Sequence, residues 1–402
     1  MINIIDPMIT APKGFKASGI KAGIKKSGKE DVAIIYSTVP ASTAALFTTN
    51  AMAAAPVIVS RRNVEKGKIS AIVVNAGCAN ACTGEQGLKD AEAMVQKTAE
   101  LLKINAEEVL VASTGIIGVT LPMDKVEAGI KKAVNALSEE GHNNARHAIM
   151  TTDTFPKSVA IDFNFGDAKI TMAGMTKGSG MIHPNMATML AFLTTDAAIT
   201  PEMLKLALTE AVNVSFHMIS VDGDSSTNDM VAIMANGLAG NKLIDSPDMP
   251  EFINFSIALK EVCIVLAKMI ARDGEGATKF LEVTVKGATS FADAKKAAMT
   301  IAKSPLVKTA FFGQDPNWGR ILCAVGYSEA EVVPEKTSLD IGGIKIVDGG
   351  LSVSFDEKAL RDIMAEHDIT VTVDLGLGEA EATVWTCDLS YGYVKINGEY
   401  HT

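Results

Sequence analysis

Strand-like and helix-like patterns alternate along all 402 residues, and no Pro/Ser-rich linker, internal repeat or low-complexity tract breaks the alternation. Such a chain must close into a layered fold, because each apolar face has to find its partner within the same chain. Val32–Tyr36, Val57–Ser60, Ala71–Asn75 and Val109–Ala112 are short apolar runs and read as strands, whereas Lys89–Leu102 and Lys125–Leu137 carry helical spacing. Val159–Phe163 and Lys169–Ala173 flank Asn164-Phe-Gly-Asp167 and predict a hairpin. Thr188–Leu193 and Phe216–Val221 read as strands, Thr200-Pro201 opens a helix, and another helix is expected to start near Ser226–Asn228. A long helix runs over about Pro250–Arg272, and Ser352–Phe355, Thr370–Leu375 and Ala382–Cys387 are extended. Strands and helices mixed in both halves predict an α/β or α+β layered sandwich, with the topology left open.

Composition narrows the function classes. A hydrophobic content of 48% with 21% charged residues describes a well-buried globular chain. Net charge −10 and a pI near 5.2 argue against nucleic-acid or anionic-membrane partners, which require basic surface. Five scattered cysteines (Cys78, Cys82, Cys263, Cys323, Cys387) fit a reducing cytoplasm. Cys78 and Cys82 have no second pair to complete a zinc site, so no metal is expected. The first residues lack a basic region followed by an apolar core, and no segment is apolar enough to span a bilayer, so no secretory signal and no membrane anchor are expected.

The stretch Lys177-Gly-Ser-Gly-Met-Ile-His-Pro-Asn-Met-Ala-Thr-Met-Leu190 carries the chemistry. It sets Thr188 directly after the small Ala187, behind glycines and a proline. A threonine hydroxyl pressed against the Ala187 carbonyl can undergo an N-to-O acyl shift, and hydrolysis then frees a new α-amine on Thr188. That residue would combine nucleophile and base, since an α-amine with a pKa of roughly 7.7–8.0 can take the hydroxyl proton. His183, five residues upstream, is the rival base. Asp222-Gly-Asp-Ser-Ser-Thr-Asn-Asp229 resembles a calcium loop, but Thr227 and Ile233 occupy the positions that need glycine and glutamate. It reads as turn and helix-capping chemistry.

Gly178 to Phe192 resembles the processing-site signature of the ornithine acetyltransferase family of arginine biosynthesis, the glutamate N-acetyltransferases. Further blocks follow in the family's order: Ser113-Thr-Gly-Ile-Ile-Gly118, Val221 to Asp229, Asp273-Gly-Glu-Gly-Ala-Thr-Lys279, Asp315-Pro-Asn-Trp-Gly-Arg320 and Ile396-Asn397 before a tail ending at Thr402. The resemblance implies an α-β-β-α sandwich of the ornithine acetyltransferase and aminopeptidase-esterase type. It implies cleavage into 1–187 and 188–402, with the fragments kept as one folded unit that assembles as two α and two β chains. Thr188 would be the nucleophile, Thr114 and Gly115 the oxyanion hole, and Thr154, Lys177, Thr188, Glu275, Asn397 and Thr402 the substrate-binding set. Cys78 departs from the asparagine frequent at that position in the family.

The activity so implied is ping-pong transfer of acetyl from N-acetylornithine to glutamate through an acetyl-threonine, without a cofactor. Whether acetyl-CoA also serves as donor is not written in the sequence. Two alternatives differ in class. An N-terminal-nucleophile amidohydrolase or aminopeptidase of related architecture would hand the acyl group to water. A nucleotide-binding module would rest on glycine-rich loops alone, and no strand–GxGxxG–helix or GxxxxGK[ST] unit is present.

Overall fold

Neighbouring residues of the central strands bury into different cores, as two stacked sheets covered on both sides require. The structure, a computed structural model, describes residues 2–165, 168–183 and 189–399. Val32, Ile34, Ala71, Val73, Val109 and Val111 point outward into a core with Val59, Met94, Val126 and Ile130 of the helices Ala55–Glu65, Gly84–Leu102 and Met123–Asn135. Their neighbours Ala33, Ile35, Ile72, Val74, Leu110 and Ala112 point inward and meet Met175, Leu190, Phe192, Met230 and Met234 of the second sheet. The far face of that sheet, Ala191, Leu193, Val231 and Ile233, packs on the helices Pro201–Asn213 and Pro250–Arg272. The order of layers is therefore α-β-β-α, in the mixed α/β class the sequence predicts.

One strand serves both sheets. Val32–Phe47 pairs with Phe15–Ile20 and Ile69–Cys78 through its first half and with Met230–Ala235 through its second. The register shifts between Tyr36 and Ala41, where Pro40 has no N–H to give to a ladder. The inner sheet continues through Leu190–Thr195, Ala168–Lys177, Lys157–Phe165 and Asn3–Ile5. The hairpin predicted around residue 165 is present, with Phe165 opposite Ala168.

A seven-stranded sheet lies beyond Pro250–Arg272, centred on Phe280–Ala288, Asp368–Asp374 and Ala380–Cys387 and covered by the helix Phe291–Lys303. It extends the sandwich by layers that the reading of the sequence does not specify. No helix among the described residues is long and apolar enough to cross a membrane.

Four local expectations fail. Val57–Ser60 is helical, within Ala55–Glu65 and entered at Pro56. Its polar side is structural: Ser60 Oγ donates to Val111 O (2.6 Å) and accepts the Val111 N–H (2.7 Å), while Asn63 Nδ2 donates to Val109 O (2.8 Å). The helix thus closes the exposed edge of the Val109–Ile116 strand. Ser226–Asn228 leads into the strand Met230–Ala235 instead of a helix, because Asn228 spends its amide on Ala79 O and on Ser113 O of the strand Val109–Ile116. Phe216–Val221 is a 3₁₀ turn followed by only a two-residue strand, and Ser352–Phe355 keeps only Ser352 in a strand.

Candidate active site

The site forms where strand ends of the two stacked sheets converge. Ile69–Cys78 and Val109–Ile116 run parallel, with Gly77 opposite Gly115 at their ends. Gly115 has φ +130°, and a Cβ there would fall 2.4 Å from Gly77 C, so the turn accepts only glycine. Thr114 beside it is buried, and its Oγ1 accepts a hydrogen bond of 3.3 Å from Lys177 Nζ. Lys177 ends the strand Ala168–Lys177 of the facing sheet. Burial lowers its pKa, and Lys157 adds to that effect, against the pull of Asp153, Glu275 and Asp229.

A buried charge network holds this corner. Asp153 Oδ1 accepts from Lys157 Nζ (2.6 Å) and from the Gly178 N–H (2.7 Å). Burial alone would raise the Asp153 carboxyl, but Lys157 and Lys177 hold it well below the usual carboxylate range. Lys157 Nζ also donates to Asp273 Oδ2 at 2.5 Å. Asp273 in turn accepts the Thr154 N–H (3.0 Å) and the Thr154 hydroxyl. Thr154 and Lys177 are thereby fixed through one ion-paired cluster.

Glu275 enters from the same 273–275 loop. Its N–H donates to Ser179 O (2.8 Å), and its carboxyl lies over Gly180, where a Cβ would meet Glu275 Oε2 at 2.4 Å. Asn397, on the C-terminal helix Tyr391–Glu399, donates to Glu275 Oε2 at 2.8 Å. The loop 178–182 is held from the other side by Asp222, which accepts the N–H groups of Met181 (2.6 Å) and Ile182 (2.9 Å). The apparent calcium loop is thus a clamp on the backbone of the Lys177–Leu190 stretch.

Ala187, Thr188 and Thr402 lie outside the described residues. Just after them in the first case, the Met189 N–H donates to Asp229 Oδ1 at 2.8 Å. Asp229 is fully buried, and burial raises its pKa well above the carboxylate norm against the Met189 N–H, Lys177 and Ser226. His183 faces Ser220 Oγ at 3.3 Å, and burial, with Lys303 and Lys295 nearby, pushes its pKa down to about 4. It is neutral near pH 7. Cys78 Sγ donates to Val119 O (3.1 Å) and packs among the outer helices, so the family departure falls on a turn contact.

Reading the sequence singled out neither Asp153 nor Lys157, and it met Asp273 and Asp229 only as ends of matched blocks, without a role. The spacing of Asp153 and Lys157, four residues apart, was one available signal, although only the fold brings Asp273 to them.

The ArgJ family profile matches residues 16–402. The chain belongs to the ArgJ family. Arginine biosynthesis bifunctional protein ArgJ of Symbiobacterium thermophilum is 54% identical over 396 residues, covering 98% of each chain. The protein of that name from Caldanaerobacter subterraneus is 53% identical over the whole of both chains. A solved structure of ArgJ from Bacillus halodurans shares 45% identity at a TM-score of 0.50, covering 52% of this chain and 97% of that one. With ArgJ relatives over its full length, this chain is an enzyme of arginine biosynthesis, and the acetyltransferase reading holds over the amidohydrolase.

Proposed function

We propose that this ArgJ family chain cuts itself between Ala187 and Thr188 and then moves acetyl from N-acetylornithine to glutamate through Thr188. The observation that carries the reading is the meeting of Thr114 Oγ1 and Lys177 Nζ at 3.3 Å beside the Gly77–Gly115 turn. This gives a donor group and a buried cation where an acyl oxygen gains negative charge. Thr188 Oγ attacks the acetyl carbonyl while its α-amine takes the hydroxyl proton. The Thr114 hydroxyl and the Gly115 N–H receive the oxyanion, and the C–N bond breaks as the α-ammonium returns its proton to leaving ornithine. Glutamate's amine then attacks the acetyl ester, reversing these steps.

Thr154, Lys177, Glu275, Asn397 and Thr402 bind the amino-acid portion in this scheme. The Glu275–Asn397 pair suits an ammonium, and Lys177 suits a carboxylate. Acetyl-CoA enters only as a co-substrate, in keeping with the word "bifunctional" in the relatives' names; no cofactor takes part.

Fragments 1–187 and 188–402 stay together in this reading. Leu190–Thr195 hydrogen-bonds to Ala168–Lys177, and Met230–Ala235 hydrogen-bonds to Val32–Phe47, so separation would break the inner sheet at both junctions. The Bacillus halodurans ArgJ chain is roughly half as long as this one, as a cleaved fragment would be. Two such protomers would assemble as two α and two β chains in the cytoplasm.

Mass spectrometry and N-terminal sequencing test the reading. Active protein should yield fragments ending at Ala187 and beginning at Thr188, and N-acetylornithine alone should add one acetyl group to the second. Glutamate should then remove that group as N-acetylglutamate. Active but uncut protein, or intersecting double-reciprocal plots with no trapped adduct, would overturn it.

A further inference from the structure

Asp31 is fully buried at the foot of Val32–Phe47, and its carboxylate accepts four backbone N–H bonds. Ala22 donates to Oδ1 (2.6 Å), while Gly23 (3.0 Å), Ile24 (2.6 Å) and Lys25 (3.0 Å) donate to Oδ2. Several N–H groups on one carboxylate fix a loop firmly. This loop lies across Gly77, where a Cβ would come within 3.2 Å of Ile24 Cγ2 and Lys25 Cγ. Gly77 is the partner of Gly115 in the ladder. Asp31 thus sets Lys25 beside the oxyanion turn.

Lys25 Nζ donates to Ala148 O (3.1 Å) and Glu30 O (2.5 Å), which leaves its third proton without an acceptor among the described residues. A cavity of about 290 Å³ opens there, lined by Lys25, Lys26, Ser27, Gly77, Thr151 and Thr152 among others, with no carboxylate among the lining residues described. Thr152 joins it to the site through a 2.7 Å hydrogen bond with Ser179 Oγ. Burial lowers the Lys25 amine to about 8, with Lys177 adding to the effect and Asp31, Asp153 and Glu30 opposing it. The ammonium is therefore only partly compensated, and a bound anion would restore the balance.

We infer that this cavity receives the side-chain carboxylate of the acetyl acceptor, with Lys25 as the cation that reads it. The inference rests on the proposed transfer to a dicarboxylic amino acid. Such an acceptor carries two carboxylates, and Lys177 supplies only one cation. A donor with an ammonium side chain is repelled by Lys25 and drawn instead to Glu275. Lys25 therefore separates the two amino acids that visit one nucleophile in turn.

Steady-state kinetics of Lys25→Met, and of Lys25→Gln, which keeps donors for Glu30 O and Ala148 O, test this. The KM for glutamate should rise at least about tenfold more than the KM for N-acetylornithine, equivalent to roughly 1.4 kcal/mol of lost discrimination. Calorimetric titration with glutamate and glutamine supplies a readout independent of turnover. The unaltered enzyme should prefer glutamate, and the Lys25→Gln enzyme should bind the two alike. Equal rises in both KM values, or a retained preference for glutamate, would overturn the subsite. Failure of acetyl transfer in the unaltered enzyme would instead overturn the proposed function, leaving the titration to judge Lys25.

Discussion

Lys177 Nζ lies 3.3 Å from Thr114 Oγ1, and the two residues come from strand ends of different sheets. A cation behind a hydroxyl makes that hydroxyl a stronger donor to a developing oxyanion. Thr114→Ala should lower kcat by about 10²–10³ while leaving KM nearly unchanged, because the lost interaction belongs to the transition state. Initial rates over a range of N-acetylornithine concentrations check this, and an effect confined to KM would make Thr114 a binding residue.

Lys157 is the shared cation of two buried carboxylates, Asp153 and Asp273. Lys157→Met would remove the direct ion-pair partner of both inside the fold, and breaking a buried pair in this way costs about 3–5 kcal/mol. The urea midpoint should fall accordingly. A midpoint shift equivalent to less than about 1 kcal/mol would show that the network does not hold the site.

Gly180→Ala tests the placement of Glu275. The new methyl would sit 2.4 Å from Glu275 Oε2, and a side-chain carboxylate can swing away where backbone could not. The fold should survive with its thermal midpoint little changed, while the KM for N-acetylornithine rises by about tenfold or more, the loss expected for one charge-assisted contact. An unaltered KM would remove Glu275 from ammonium recognition.

His217 gives a pH-dependent term. Burial, with Lys295 nearby, lowers its pKa from 6.5 to about 4. The unfolded chain therefore binds the proton between those values and the folded chain does not, so stability falls as pH drops from 6.5 toward 4. His217→Gln should flatten this slope by up to about 1.4 kcal/mol per pH unit, and denaturant melts of both proteins at pH 4.5, 5.5 and 7 measure it. Parallel slopes would show that His217 takes up its proton alike in the folded and unfolded states.

Several elements could be read locally. Thr200 caps the helix at Pro201 by accepting the Met203 N–H, and the 250–272 helix begins and ends where its apolar spacing does. Val57–Ser60 misled because a short β-branched run looks alike in a strand and in a helix facing a core. Its assignment depends on the strand edge that Ser60 and Asn63 cover. Ser226–Asn228 misled for a related reason: capping residues also satisfy loop carbonyls far away in sequence.

By itself, the sequence determined the layered class and the ordered family blocks, and it set a threonine behind a small residue, since each depends on neighbours along the chain. Tertiary structure alone decided the site's electrostatics. Asp153 and Asp273 are 120 positions apart yet share one lysine, and Asp31 aims Lys25 at a turn built from Gly77 and Gly115. Such relations depend on which strand ends meet and on how far water is excluded there, and burial lowers the pKa of Lys177 and raises that of Asp229. Neither the meeting nor the exclusion is a property of any local stretch of chain.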